Sequence, residues 1–87
     1  MKLLYCLKCH DVVSLRQQPR TCSCGVSGGN YHQDELKASY FGPCIPLVFN
    51  NQSLDNALTN QPKEGKGLPF EAVVVPEICD TFKKITR

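Results

Sequence analysis

Four of the six cysteines stand in two short pairs, Cys6-Leu7-Lys8-Cys9 and Cys22-Ser23-Cys24-Gly25, with twelve residues between the pairs. Each pair presents two thiolates from neighbouring backbone positions of one tight turn. Two such turns complete a tetrahedral Cys₄ site for a zinc ion, with Zn–S distances of about 2.3 Å. The second pair is C-x-C rather than the usual C-x₂-C, and Gly25 behind it suits a turn that needs positive φ. A site closed by four sulfurs keeps no position for water. Its metal is therefore structural, and part of its binding energy is folding energy. His10, directly after Cys9, and His32 are left outside this ligand set because four cysteines already fill it.

The remaining residues with chemical potential are dispersed. Cys44 and Cys79 read as small buried apolar side chains. A nucleophilic cysteine needs a base within reach and a lowered pKa, whereas the two histidines both lie in the N-terminal part of the chain. Asp55, Glu64, Glu71, Glu77 and Asp80 show no acid/base spacing, so the expectation is a protein that is not an enzyme. Binding is the alternative to catalysis. Lys8, Arg16 and Arg20 with Gly28, Gly29, Asn30, Tyr31 and His32 combine positive charge, backbone amides and an aromatic ring. That set suits a nucleotide or a single-stranded nucleic acid. Val26-Ser27-Gly28-Gly29-Asn30 lacks the lysine and the strand-to-helix setting of a phosphate-binding loop, and reads first as a flexible turn. The weakly charged stretch Tyr40 to Leu47 is the candidate protein-contact or oligomerisation surface, if it is exposed.

These groups need a frame. Leu3–Tyr5 and Val12–Leu15 read as strands of a hairpin that carries the first cysteine pair at its tip. The Gln17-Gln18-Pro19-Arg20 turn returns the chain to the second pair. Leu36, Ala38 and Tyr40 alternate with polar neighbours as in a half-buried strand. Cys44–Phe49 is strand-like, with Pro46 pushing it toward a sheet edge or a bulge. Leu54, Ala57 and Leu58 have helical spacing, capped by Ser53 or Asn51 and ended by Pro62, which predicts a short helix near 53–61. Lys63–Gly67 is a charged, mobile loop. Phe70–Val75 is the strongest strand signal, and its apolar density predicts a central position. Cys79–Ile85 reads as a last helical turn.

The fold class that follows is small α+β: an N-terminal zinc ribbon, meaning a β-hairpin with a Cys₄ zinc site, joined to an antiparallel β-sheet with one or two short helices. One domain of 87 residues is expected, with a ribbon part over 1–34 and a β-rich part over 35–87. A chain this short has a marginal core, which a metal would reinforce. The six cysteines also admit a disulfide framework. However, Met1–Tyr5 is too short for the apolar region of a signal peptide, and no run approaches the ~20 residues of a membrane span. The expectation is a cytoplasmic protein without a membrane partner, in a compartment where thiols stay reduced and hold metal. The net charge of +2 comes from Lys2, Lys8, Arg16 and Arg20 against Asp11 and Asp34. The rest of the chain is balanced. So small an excess is a weak signal for nucleic acid.

With Cys6-x₂-Cys9, Cys22-Ser23-Cys24-Gly25, Ser27-Gly28-Gly29-Asn30-Tyr31, Ile45-Pro46-Leu47 and Pro76-x₂-Cys79 together, the chain resembles a group of short zinc-ribbon proteins encoded by bacteriophages and prophages. The resemblance implies a source and a fold element. By analogy it also implies action by stoichiometric binding in the host cytoplasm: counter-defence by capture of a nucleotide signal, or docking on a host or phage protein. A homo-oligomer is a further expectation.

Overall fold

Short β-branched and aromatic runs separated by tight turns build eight strands and one helix, in a computed structural model that describes residues 1–86. The strands are β1 (Lys2–Cys6), β2 (Val12–Ser14), β3 (Arg20–Thr21), β4 (Gly28–Tyr31), β5 (Ala38–Phe41), β6 (Cys44–Phe49), β7 (Ala72–Val74) and β8 (Phe82–Lys84), with helix α1 (Asn51–Thr59) after β6. They form two four-stranded sheets in the orders β2-β1-β6-β7 and β3-β4-β5-β8. Each sheet takes two strands from the cysteine-bearing stretch before residue 34 and two from the chain after it. The whole is α+β with a strong β majority. Among the described residues no helix is long and apolar enough to cross a membrane.

The two sheets meet through Leu4, Leu15, Ala38, Tyr40, Cys44, Val75 and Phe82, a buried cluster in which Tyr40 and Phe82 stack edge to face at 6.0 Å. Burying an aromatic or aliphatic side chain of this kind contributes about 1.5–3 kcal/mol. A second, smaller cluster joins Val13 to Cys6 and Cys22, with Cys9 and Val26 against it. It is the apolar floor of the cysteine site.

Four expectations change. The run Val26–Asn30 is not a flexible turn: Gly28 and Gly29 sit in β4, between β3 and β5, and both are buried. A Cβ on Gly28 would run into the carbonyl oxygen of Arg20 and the Phe41 ring, and one on Gly29 into the carbonyl oxygen of Ser39. Glycine is there for close strand approach. Pro46 does not push β6 to an edge, since β6 lies between β1 and β7. Its missing N–H faces β7, where Val75 donates to the Pro46 carbonyl at 3.0 Å and the ladder ends at Pro76 anyway. The apolar run Phe70–Val75 is not central: β7 is an edge strand, and all three of its residues are exposed. Cys79–Ile85 gives a strand rather than a helical turn, because β8 pairs with β5, and it does so in parallel. The predicted antiparallel sheet is therefore antiparallel except at that pair. One helix forms. Asn50, one residue before Asn51 and three before Ser53, caps α1 by accepting from the Ser53 amide at 2.9 Å.

Candidate metal centre

The hairpin between β1 and β2 holds the first cysteine pair. The Cys6 amide donates to the Asp11 carbonyl and the His10 amide to the Cys6 carbonyl, both at 2.9 Å, which turns the chain tightly around Cys6. The hairpin between β3 and β4 holds the second pair with a matching closure: Cys22 N–H to Ser27 carbonyl at 2.9 Å and Gly25 N–H to Cys22 carbonyl at 3.0 Å. The residue after each second cysteine takes positive φ, 63° at His10 and 78° at Gly25. Glycine does this without cost, and His10 does it with its Nδ1 2.8 Å from the Tyr5 hydroxyl.

The two turns bring the Sγ atoms of Cys6, Cys9, Cys22 and Cys24 within 4.8 Å of one another. Cys6 and Cys24 are 3.8 Å apart and Cys22 and Cys24 3.5 Å. A tetrahedron with metal–sulfur bonds of about 2.3 Å has sulfurs about 3.8 Å apart, so the cluster has the dimensions of a four-thiolate metal site. All six cysteines are free thiols, which rules out the disulfide framework in this structure.

The surroundings favour thiolate at some positions and resist it at others. The Cys9 amide, 3.5 Å from Cys6 Sγ, holds the Cys6 thiol down at about 6 against the opposing effect of burial, with help from the Ser27 hydroxyl and the Lys8 amide. At Cys22 burial acts upward, but the Ser27 amide and the Cys24 thiol outweigh it and the thiol is lowered. At Cys24 the Val26 amide favours the anion, yet burial and the thiols of Cys22, Cys9 and Cys6 overcome it and push the group up to about 11. Negative charge is thus welcomed first and then repelled as it accumulates. A bound metal cation would neutralise the later thiolates, and the four sulfurs are placed where they could hold one.

Two supporting residues have no signal in the spacing of the cysteines. Ser27 is buried and its hydroxyl donates to Cys6 Sγ at 3.6 Å. Asp11, from the first turn, accepts with Oδ2 both the amide and the hydroxyl of Ser23 in the second turn, each at 2.9 Å. It ties one cysteine pair to the other. Cys44 lies opposite Cys6 in the β1–β6 ladder, buried, with its thiol donating to the Phe41 carbonyl at 3.5 Å and pushed up by burial. Cys79 packs beside the core near Thr81. Neither histidine joins the cluster: His10 is engaged by Tyr5, and His32 Nε2 sits 2.7 Å from the Ser39 hydroxyl.

The residues considered for an anionic ligand are split. Arg16, Asn30, Tyr31 and His32 line two adjoining surface depressions of about 430 and 570 Å³, which share Gln17 and Tyr31. Glu35 stands on the same rim and accepts from Gln17 at 3.0 Å. The Asn30 amide is held by the Gln17 and Tyr31 carbonyls, and the Tyr31 hydroxyl accepts from the Lys2 amide at 2.9 Å. Lys8 belongs to the first cysteine turn, and Arg20 lies on β3 with its guanidinium donating to the Ser14 carbonyl at 3.0 Å. Gly28 and Gly29 are inside the sheet. The stretch Tyr40–Leu47 does not form a surface either, since Tyr40, Phe41, Cys44 and Pro46 are buried. Comparison of the chain with protein-family models, curated proteins and solved structures returned no match.

Proposed function

We propose that this chain is a zinc-held binding module without catalytic machinery, which acts by docking on another protein. The four sulfurs supply the ligands of one zinc ion, and a thiolate set of this kind selects zinc over harder cations. A closed site of four thiolates has no open position for substrate, so the surface rather than the metal does the work. A reducing compartment, in which the thiols stay free, belongs to the same reading.

The observation that carries the docking reading is the exposed lobe after β6. Every residue from 58 to 74 is exposed. Leu54, Leu58, Leu68 and Phe70 nevertheless converge on a groove of about 450 Å³, and α1 buries none of its residues. An amphipathic helix and an apolar groove left open to water suit a protein partner. The resemblance to phage-encoded ribbon proteins supplies the setting, stoichiometric antagonism of a host protein. Crosslinking in cells that express the chain tests it. A partner captured by the wild type and lost with Leu58→Asp is the expected result, and identical profiles for the two would overturn it.

A second reading, capture of an anionic ligand such as a nucleotide or a single-stranded nucleic acid, rests on the joint placement of Arg16, Asn30, Tyr31 and His32. Only one of the three cationic side chains considered for it reaches that surface, and Glu35 opposes it. Calorimetric titration with mononucleotides, cyclic dinucleotides and single-stranded oligonucleotides decides the matter. Binding abolished by Arg16→Glu would establish this reading, and a flat titration removes it.

A further inference from the structure

Among the described residues, strand β7 has a neighbouring strand on one side only. In its ladder with β6, Val73 stands opposite Val48, the Val75 amide donates to the Pro46 carbonyl at 3.0 Å, and the Glu71 carbonyl accepts from the Asn50 amide at 2.9 Å. Residues 73 and 75 therefore turn their backbone groups toward β6, and Glu71 is satisfied just beyond its end, with its N–H donating to the Ser53 hydroxyl of α1 at 2.9 Å. By the alternation of an antiparallel ladder, Ala72 and Val74 point theirs the other way, where no strand of the sheet lies.

The other three sheet edges are protected in ways proteins commonly use against edge-to-edge pairing. β2 has Arg20 donating to its Ser14 carbonyl. β3 is two residues long and carries that arginine. β8 carries Lys83 and Lys84. Among the described residues β7 carries no charge, and no strand pairs with its outer side. Val73 is 58% exposed and Val74 70%. Val73 lies on the same sheet face as Val75, which is 7% exposed. It therefore extends the core-facing side of the sheet beyond the point where the second sheet stops.

We propose that β7 is the interface of a two-fold dimer in which a second copy of this chain adds its own β7 antiparallel to it, making one continuous eight-stranded sheet. The strand is self-complementary about Val73. In that register Ala72 of each copy stands opposite Val74 of the other, and the outward N–H and C=O groups of both satisfy one another. Val73 meets Val73, and Glu71 meets Val75, so no like charges are opposed. The same axis brings Leu68 and Phe70 of one copy alongside Ile78 and Pro76 of the other, and Ile78 is the most exposed of the large apolar side chains, at 92%. The strand pairing itself uses the β7 edge, while Leu68 and Phe70 also line the groove beside α1.

Sedimentation equilibrium of the zinc-loaded full chain, over a series reaching the millimolar range, tests this. The expected result is a reversible monomer–dimer equilibrium that stops at two copies. Val74→Pro removes an N–H that the β6 ladder does not use, so it weakens the dimer ~10-fold or more while leaving the melting temperature of the dilute protein in place. Val74→Lys, which keeps the backbone and adds an edge charge, has the same effect on association. A wild type that stays monomeric throughout, a mass that grows past the dimer, or variants that associate as the wild type does would each overturn the proposal.

Discussion

The sulfur atoms are held by residues that carry no ligand atom themselves. Asp11 accepts two hydrogen bonds from Ser23 and so fixes the distance between the two cysteine pairs. Removing an outer partner of a metal site typically costs 10–100-fold in affinity. Asp11→Ala is therefore expected to weaken zinc binding by about that factor, measured by competition with a chromophoric chelator, while the stoichiometry stays the same. Asp34 plays a comparable part in the β4–β5 turn without a metal. The Lys37 amide, at 3.1 Å, and the Leu36 amide, at 3.0 Å, hold its carboxyl below the ordinary range. A carboxylate lowered on folding stabilises the protein above its unfolded pKa, and that contribution disappears as the pH falls through the lower folded value. The difference in melting temperature between wild type and Asp34→Ala should accordingly be widest near neutrality and close in acid. The comparison cancels thiol protonation, which both proteins share. A gap that is constant across pH would rule out this role for the carboxylate.

That pair of turns shows what local sequence conceals. His32–Lys37 repeats the closure of Cys22–Ser27 bond for bond: His32 N–H to Lys37 carbonyl at 2.8 Å, Glu35 N–H to His32 carbonyl at 3.0 Å, and positive φ at Glu35 where the other turn has Gly25. Asp34 takes the place of Cys24. Two loops of one shape join β3 to β4 and β4 to β5, yet only the one with thiols was legible, because cysteine spacing announces its purpose and a carboxylate bonded to amides does not. The helix was legible too, since Leu54, Ala57 and Leu58 carry its period. Near the C-terminus the strand within Phe70–Val75 was legible but its place in the sheet was not, and Cys79–Ile85 concealed a strand behind a helical pattern. Phe70–Val75 has the composition of a central strand, but which strand lies beyond it is decided by pairing across the chain, and among the described residues no strand of the same chain does. Gly28 and Gly29 misled for a related reason: glycine in a short polar run looks like a loop until the strands on both sides approach its Cα. Gly28→Ala is expected to destabilise the protein by about 1–3 kcal/mol through displacement of Phe41 and β3. Denaturant unfolding measures this, and a variant as stable as the wild type would show that β4 has room there.

The chain as a whole is elongated, with a radius of gyration of 14.2 Å against roughly 12 Å for a compact chain of this length. Residues 58 to 74 are all exposed, which leaves a small core to hold two sheets. The cysteine cluster ties them together, because Cys6 ends β1 of one sheet while Cys22 and Cys24 lie between β3 and β4 of the other. A metal bound at that junction would contribute its binding energy to folding. This is the central claim, and native mass spectrometry of the protein with cysteine-to-serine variants tests it most directly. The account predicts one zinc ion per chain, lost together with the cooperative unfolding transition when Cys6, Cys9, Cys22 or Cys24 is replaced, and retained in Cys44→Ser and Cys79→Ser. A wild type that is folded and equally stable without metal would contradict it.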